Sequence, residues 1–317
     1  MSSASRIPLL MLSPLQDAYV QQVAQAYELV YAPTPERKAA AIRAHGHRFR
    51  AVLTIGAVGL SAAEMDAMPQ LELVCALGVG YESIDLAAAQ ARGLVVTNGA
   101  GTNDGCVADH AFGLLLAAVR GIVQLDQGVR AGLFRDQLQF YTPTVSGKKL
   151  GIVGLGMIGR QIARRAAGFD LAVGYCGRSR KADVPFAYFD SVLALAQWCD
   201  YLVVATPGGA ATRHLVDAQV IAALGPTGAL VNIARGSVVD TAALAAALAA
   251  GQLGAAGLDV YESEPQRPEA LVGLPNVVLT PHIAGRSPEA MQASVDKFLA
   301  NAQAFFAGQP VLTPVAL

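Results

Sequence analysis

The stretch KLGIVGLGMIG, Lys149 to Gly159, decides the fold. Leu150 to Val153 is a short apolar run of strand type. It leads straight into Gly154-x-Gly156-x-x-Gly159, and a helical pattern follows from Arg160 to Ala167. A lone glycine triplet of this spacing is a weak signal, but between a strand and a helix it becomes specific. Gly154 permits a tight turn, Gly156 lets backbone approach a pyrophosphate, and Gly159 lets the helix pack close to the sheet. The amides of Leu155, Gly156, Met157 and Ile158 then face an anion at a helix N-terminus. The stretch predicts a dinucleotide-binding α/β domain.

Working outward, apolar strand-like runs alternate with helix-like segments, the pattern of a parallel sheet. C-terminal to the glycines, strands are expected at Ala172 to Tyr175, Tyr201 to Ala205, Ala229 to Ile233, Gly257 to Val260 and Val277 to Thr280. The first third carries its own series: strands at Pro8 to Leu12, Leu29 to Ala32, Ala51 to Ile55, Leu71 to Ala76 and Leu94 to Thr97. Between them come helices at Gln16 to Ala26 and Thr34 to Ala44. Thr34 is read as an N-cap with Pro35 at the first helical position. The last helix, about Pro288 to Ala307, ends at Gly308 and is expected to return to the first domain.

The expected fold class is therefore α/β with two Rossmann-like parallel-sheet domains. A nucleotide domain, residues 100–285, is inserted into a discontinuous, flavodoxin-like substrate domain, residues 1–99 and 286–317. A long helical run from Asp104 to Ala131 is apolar on more than one face. Such a helix is usually covered by another domain or a second subunit, and a homodimer interface is the favoured expectation.

Composition fits this plan. Hydrophobic residues make up 53% of 317 residues and charged residues 15%, enough for a large core. The net charge of −1 gives no global reason to bind nucleic acid or an acidic membrane. Cys75, Cys106, Cys176 and Cys199 form no CxxC pair and no zinc spacing, which suits reduced thiols in a cytoplasm. No metal is expected. The apolar part of MSSASRIPLLMLSP is too short for a signal segment and reads as the first strand. The Ala-rich stretch Thr241 to Ala250 is too short to cross a bilayer.

The strand after the glycines bears on which dinucleotide is bound. An NAD site places an acidic residue about twenty positions after the glycines, against the ribose hydroxyls. Here that place reads YCGRSR, Tyr175 to Arg180. It offers Arg178, Ser179 and Arg180, which suit a 2′-phosphate. NADP(H) is expected in preference to NAD(H), although the same arginines also suit a solvated loop.

Three further segments place polar residues just beyond apolar strands: LVNIARGSVVD (Leu230 to Asp240), GLDVYESEP (Gly257 to Pro265) and LTPHIAG (Leu279 to Gly285). Ligands of open α/β sheets bind outside the carboxyl ends of the strands. One Arg, one Glu and one His are thus offered together. Each also has a plainer reading: Arg235 as a strand-end cap or partner of Asp240, Glu264 as a turn residue beside the surface carboxylate Glu262, His282 as a loop histidine. His110 and His214 read as structural, with an approach to the cleft as the alternative for His110, which sits in the helical run.

With these motifs in this order, the chain resembles the D-isomer-specific 2-hydroxyacid dehydrogenase family, and within it the glyoxylate and hydroxypyruvate reductases. The resemblance runs from the VGYESID segment near Gly80 to the last helix. It implies that His282 is the general acid toward the substrate carbonyl, that Glu264 orients it, and that Arg235 binds the 2-oxo acid. It also implies that the amides of Val79 and Gly80 hold the substrate carboxylate. Thr206, Pro207, Thr212, Ile233, Ala234, Arg235, Asp259, His282 and Gly285 would line the cofactor, with Asp259 at the nicotinamide carboxamide. Two departures stand out. Gly208 and Gly209 replace a bulkier stretch, read as loosening the adenosine side of the groove, and Leu133 stands where many relatives carry tryptophan.

The expected activity is NADPH-dependent reduction of small 2-oxo acids to 2-hydroxy acids. The alternatives are reduction of bulkier 2-oxo acids, NAD-dependent oxidation of the phosphoglycerate type, and a dinucleotide-sensing protein without turnover.

Overall fold

The computed structural model describes residues 6–138 and 142–317, so the opening MSSAS lies outside the described residues. The chain divides into two compact units, residues 1–103 with 286–317, and residues 104–285.

The first unit is built on five parallel strands: β1 (Pro8–Met11), β2 (Glu28–Tyr31), β3 (Ala51–Thr54), β4 (Leu73–Ala76) and β5 (Val95–Thr97). Their order is β2-β1-β3-β4-β5, the flavodoxin-like arrangement. Helices α1 (Asp17–Ala26), α2 (Pro35–His45), α3 (Ala62–Asp66) and α4 (Leu86–Ala91) connect them. The Thr34 hydroxyl accepts from the Arg37 amide at the start of α2. Parallel strands are buried on both faces, so they read as unbroken apolar runs. Successive residues nonetheless serve opposite faces. Leu10, Val52, Val74 and Val96 join one core with α2, α3 and α4. Leu9, Met11, Leu53, Leu73 and Cys75 join the other, with Val23 of α1 and with Val295, Phe298 and Ala302 of the final helix.

This unit continues to Asn103, slightly past the expected limit at residue 99. Thr102 explains the extension. Its hydroxyl donates to the Gly99 carbonyl at 2.7 Å and accepts from Ser294 of the final helix at 2.9 Å.

The second unit has seven parallel strands: β6 (Lys149–Val153), β7 (Ala172–Cys176), β8 (Ala187–Phe189), β9 (Tyr201–Val204), β10 (Ala229–Asn232), β11 (Ala255–Leu258) and β12 (Val277–Leu279). The order β12-β11-β10-β9-β6-β7-β8 is that of a Rossmann sheet with one extra strand. Strand β8 is a three-residue edge element that the sequence reading passed over. Strand β11 lies two residues earlier than the predicted Gly257 to Val260. Its register against β10, Ala229 opposite Ala255, ends both strands together at Asn232 and Leu258. Asp259 is thereby the first residue of the loop beyond.

The helices are α5 (Asp104–Val119), α6 (Ile122–Arg130), α7 (Arg135–Leu138), α8 (Met157–Ala166), α9 (Val192–Trp198), α10 (Ala218–Leu224) and α11 (Thr241–Ala249). The chain then returns to the first unit through α12 (Pro288–Phe306), capped by Ser287. The predicted single run from Asp104 to Ala131 is two helices, broken where Gly121 takes a left-handed conformation with φ 59°. Most of α5 is covered by its own unit, which corrects the expectation that its apolar faces meet a second subunit. Val107, Ala111, Phe112, Leu114, Leu115 and Ala118 pack with α8 and the sheet. A Cβ at Gly257 would lie 2.9 Å from that of Leu114, so β11 has a glycine where α5 crosses it. Several exposed large apolar residues cluster on α6 and just after it: Ile122, Val123, Val129, Leu133 and Phe134. No single helix among the described residues is long and apolar enough to cross a membrane.

Candidate active site

The glycine turn adopts the geometry its sequence demands. Gly154 has φ 97°, which a side chain rarely tolerates. A Cβ at Gly159 would fall 2.1 Å from the Gly154 carbonyl oxygen, so only glycine lets α8 approach β6 this closely. At Gly156 nothing lies within 4 Å of a built Cβ, leaving open space above the turn. Gly156 is also the N-cap of α8, and no side chain caps it. The first amides of α8 therefore lack both an intrahelical and a capping partner and are free to take an anion.

Beyond β7, Arg178, Ser179 and Arg180 are exposed. The first carboxylate after them, Asp183, is paired with Arg160 at 2.9 Å. No ion pair engages Arg178 or Arg180 among the described residues. The next strand end is tied differently. The Thr212 hydroxyl donates to the Pro207 carbonyl at 2.9 Å, closing the loop Thr206 to Thr212. Gly208 lies under Arg235, since a Cβ there would be 2.6 Å from the Arg235 Cγ. Its smallness makes room for the arginine, a role the sequence reading did not give it.

Arg235 follows β10. Asn232, 1% exposed, accepts from the Ala234 amide at 3.0 Å and donates to the Arg235 carbonyl at 3.0 Å, fixing the turn. The Arg235 guanidinium donates to the Ala234 carbonyl at 2.6 Å. Gly236 presses on the next loop, where a built Cβ would lie 1.9 Å from the Tyr261 carbonyl carbon.

Glu264 and His282 are joined, Oε2 to Nδ1, at 2.7 Å. The other oxygen of Glu264 accepts from the Tyr261 amide at 2.7 Å. Burial pushes the Glu264 carboxyl up. The hydrogen bonds from His282 and Tyr261, with the charges of His282 and Arg235, outweigh it and hold the carboxyl below its ordinary value. An ionised carboxylate accepts only, so Nδ1 carries a proton and Nε2 is left for other chemistry. Burial and the nearby Asp259 charge push the Tyr261 hydroxyl up to about 12, keeping it a neutral donor to the Thr280 carbonyl at 2.6 Å.

Asp259, 1% exposed, organises the histidine loop. It accepts from the Thr280 hydroxyl at 2.6 Å and from the amides of Ile283 and Ala284 at 3.0 and 2.9 Å. The His282 amide bonds the Asp259 carbonyl at 2.8 Å. His282 itself has φ 52°, a conformation that costs free energy for a residue with a Cβ and persists where its surroundings enforce it. His110, for which the sequence also allowed an approach to the cleft, reaches the same network through Thr280 Oγ1 at 2.9 Å. Thr280 donates to Asp259 and therefore accepts from His110. The sequence reading also missed Asn232 and Thr280. Both sit where a strand ends beside a proposed site residue, and that position is their only signal.

Arg235, Glu264, His282, Asp259 and the glycine turn thus belong to one unit. Val79 and Gly80 belong to the other, in the loop after β4. There the Gly78 and Val79 carbonyls accept from the Gly99 amide and the Asn98 side chain, each at 2.8 Å. The Val79 and Gly80 amides make no backbone hydrogen bond among the described residues.

A Rossmann sheet with an uncapped glycine turn and a carboxylate-held histidine defines a dinucleotide-dependent oxidoreductase. Comparison with known proteins makes this specific. Residues 112–284 match the family model of the D-isomer specific 2-hydroxyacid dehydrogenase NAD binding domain. The chain is 40% identical to hydroxyphenylpyruvate reductase of Plectranthus scutellarioides over 309 residues, 98% of this chain and 99% of the relative. It is equally 40% identical to glyoxylate/hydroxypyruvate reductase A of Arabidopsis thaliana, with the same coverage. A solved NADPH-dependent glyoxylate/hydroxypyruvate reductase from Sinorhizobium meliloti, in complex with NADP and malonate, is 38% identical with a TM-score of 0.89, covering 98% of this chain and 97% of that one. The chain belongs to the D-isomer-specific 2-hydroxyacid dehydrogenase family. It is an NAD(P)-binding oxidoreductase of two parallel-sheet domains, and residues 112–284 lie within its NAD-binding unit.

Proposed function

We propose that this enzyme reduces small 2-oxo acids, glyoxylate and hydroxypyruvate among them, to 2-hydroxy acids with NADPH. The observation that carries the reading is the Glu264–His282 pair, held in the same unit as Arg235 and the dinucleotide turn. The names of the relatives support the substrate class.

The amides from Leu155 to Gly159 would take the pyrophosphate, and Arg178, Ser179 and Arg180 the 2′-phosphate. Thr206, Pro207, Thr212, Ile233, Ala234, Asp259 and Gly285 would line the rest of the cofactor. Asp259 spends three acceptor positions on its own loop and keeps capacity for one more donor, such as a carboxamide. Bound NADPH supplies the hydride that reduces the carbonyl carbon. Arg235 binds the oxo acid through its carboxylate and carbonyl oxygens and polarises the bond. The Val79 and Gly80 amides take a substrate carboxylate oxygen. His282 Nε2 delivers the proton to the carbonyl oxygen, and Glu264 holds the imidazole in orientation.

The preference for NADPH rests on Arg178 and Arg180, and on Asp183 being engaged by Arg160. Apolar α6 and the following Leu133 and Phe134 support a homodimer. Cysteines without a disulfide support a cytoplasmic setting.

Initial rates with NADPH and NADH against glyoxylate, hydroxypyruvate, pyruvate and phenylpyruvate test the proposal. Fast turnover of the small acids with NADPH is expected, and Arg178→Ala should raise the NADPH KM more than the NADH KM. Preference for phenylpyruvate would move the enzyme to the bulkier class, as the hydroxyphenylpyruvate relative suggests. Equal kcat/KM with both cofactors would remove the arginines from cofactor choice. NADPH binding without turnover would favour a sensor.

A further inference from the structure

The second unit holds another imidazole–carboxylate pair. His214 Nε2 lies 2.8 Å from Glu262 Oε1. Glu262 and Glu264 are two residues apart in the turn after β11, and each holds one histidine. The surface carboxylate of the sequence reading is therefore engaged. Its second oxygen accepts from the Thr241 amide at 3.1 Å, at the start of α11. Arg213 lies 3.8 Å from Glu262, and Asp240 lies 3.9 Å from His214 Nδ1.

The backbone marks both histidines. Three non-glycine residues have positive φ among the described residues: Asp170, His214 at 49° and His282 at 52°. Asp170 closes a helical turn without a part in either pair. A left-handed histidine persists where its surroundings enforce it. At His214 the enforcing contacts are its amide, bonded to the Ser237 carbonyl at 2.8 Å, and its side chain on Glu262.

These contacts join three loops. The Val216 amide bonds the Val238 carbonyl, and the Asp240 amide bonds the Val216 carbonyl, each at 3.0 Å. That ties the loop after β9 to the loop after β10. Gly236 seats the second loop on the Tyr261 backbone of the third. The His214–Glu262 bond closes the ring from the first loop to the third. Arg235 stands at the head of the ring, one residue before Gly236.

We propose that His214 and Glu262 form a positioning clamp for Arg235, separate from the pair that delivers the proton. The clamp rests on the reading of Arg235 as the oxo-acid anchor. Its closure fixes where the guanidinium meets the substrate. Neither clamp residue touches the reacting atoms.

The test combines His214→Ala, His214→Gln, Arg235→Lys and the His214→Ala/Arg235→Lys double variant. Each is assayed for glyoxylate reduction and for NADPH binding by fluorescence. Misplacing an anchor by about 1 Å can cost roughly 100-fold. His214→Ala should lower kcat/KM for glyoxylate by roughly 10- to 100-fold, largely through KM, with the NADPH Kd within about twofold of the parent. Glutamine places an amide N–H at the same reach as Nε2. His214→Gln should therefore recover kcat/KM to within about threefold. In the Arg235→Lys background His214→Ala should add no more than about twofold, because coupled residues are not additive. Full additivity, a parallel loss of NADPH affinity, or no rescue by glutamine would overturn the clamp. Unchanged kcat/KM in His214→Ala beside a large loss in Arg235→Lys overturns the clamp alone. An unimpaired Arg235→Lys enzyme overturns the anchor reading and the clamp with it.

Discussion

Gly208 leaves the space that the stem of Arg235 occupies. A Cβ at position 208 would stand 2.6 Å from Arg235 Cγ and 3.2 Å from its Cβ. These atoms are near the backbone, so the arginine cannot yield by swinging its tip alone.

Gly208→Ala is therefore expected to displace Arg235. The kcat/KM for the oxo acid should fall about 10- to 100-fold, since small misplacements of a positioning group are costly. The NADPH Kd should change little. Steady-state kinetics beside cofactor titration decide it, and an enzyme with unchanged KM for the oxo acid would count against the contact.

The pH profile should follow the Glu264–His282 pair. A depressed carboxyl gives stability that is present above the ordinary glutamate value, about 4.3, and that is lost as pH falls through the lower folded value. The pair is thus intact at neutral pH and weakens only in acid. Glu264→Gln removes the titrating carboxyl, so its loss of stability toward acid should be shallower than the parent's. The measurement is urea unfolding from about pH 3 to pH 7 in parent and variant, and equal slopes would count against the pair.

Asp259→Ala should cost stability as well as activity. It removes the acceptor of the Thr280 hydroxyl proton and of the Ile283 and Ala284 amides, the last of them buried. Unsatisfied buried groups cost about 1–3 kcal/mol each, and relaxation toward solvent at Ile283 reduces the sum. A loss of about 2–4 kcal/mol is expected from urea unfolding, with kcat reduced as the His282 loop loses its anchor. Parent-like unfolding would show that the loop holds itself.

The proposed homodimer should depend on α6. Ile122 is 51% exposed, Val129 59% and Phe134 68%. Val129→Glu with Phe134→Glu should yield a monomer by sedimentation at micromolar concentration, with the unit's own core untouched. Unchanged association would place the interface elsewhere.

The sequence by itself determined the elements and the parts of the site that depend on local chemistry. The glycine turn, the Thr34 cap and the apolar runs of buried parallel strands are set by residues close in the chain, so they could be read from it. Arg235, Glu264 and His282 were proposed on the same local ground, each in a loop that follows a strand, where ligands of open α/β sheets bind. The break at Gly121 and the burial of α5 could not be read so, because they depend on which surface of the sheet α5 crosses. The use of Gly208 depends on a contact between separate loops, as do the duties of Asn232, Thr280, His110 and His214. A histidine of strained backbone bound to Glu262 looks like any loop histidine until the sheet brings the ends of β9, β10 and β11 side by side. Tertiary structure decided those roles because hydrogen bonds between loops are set by strand order and register, which single-chain patterns specify only collectively.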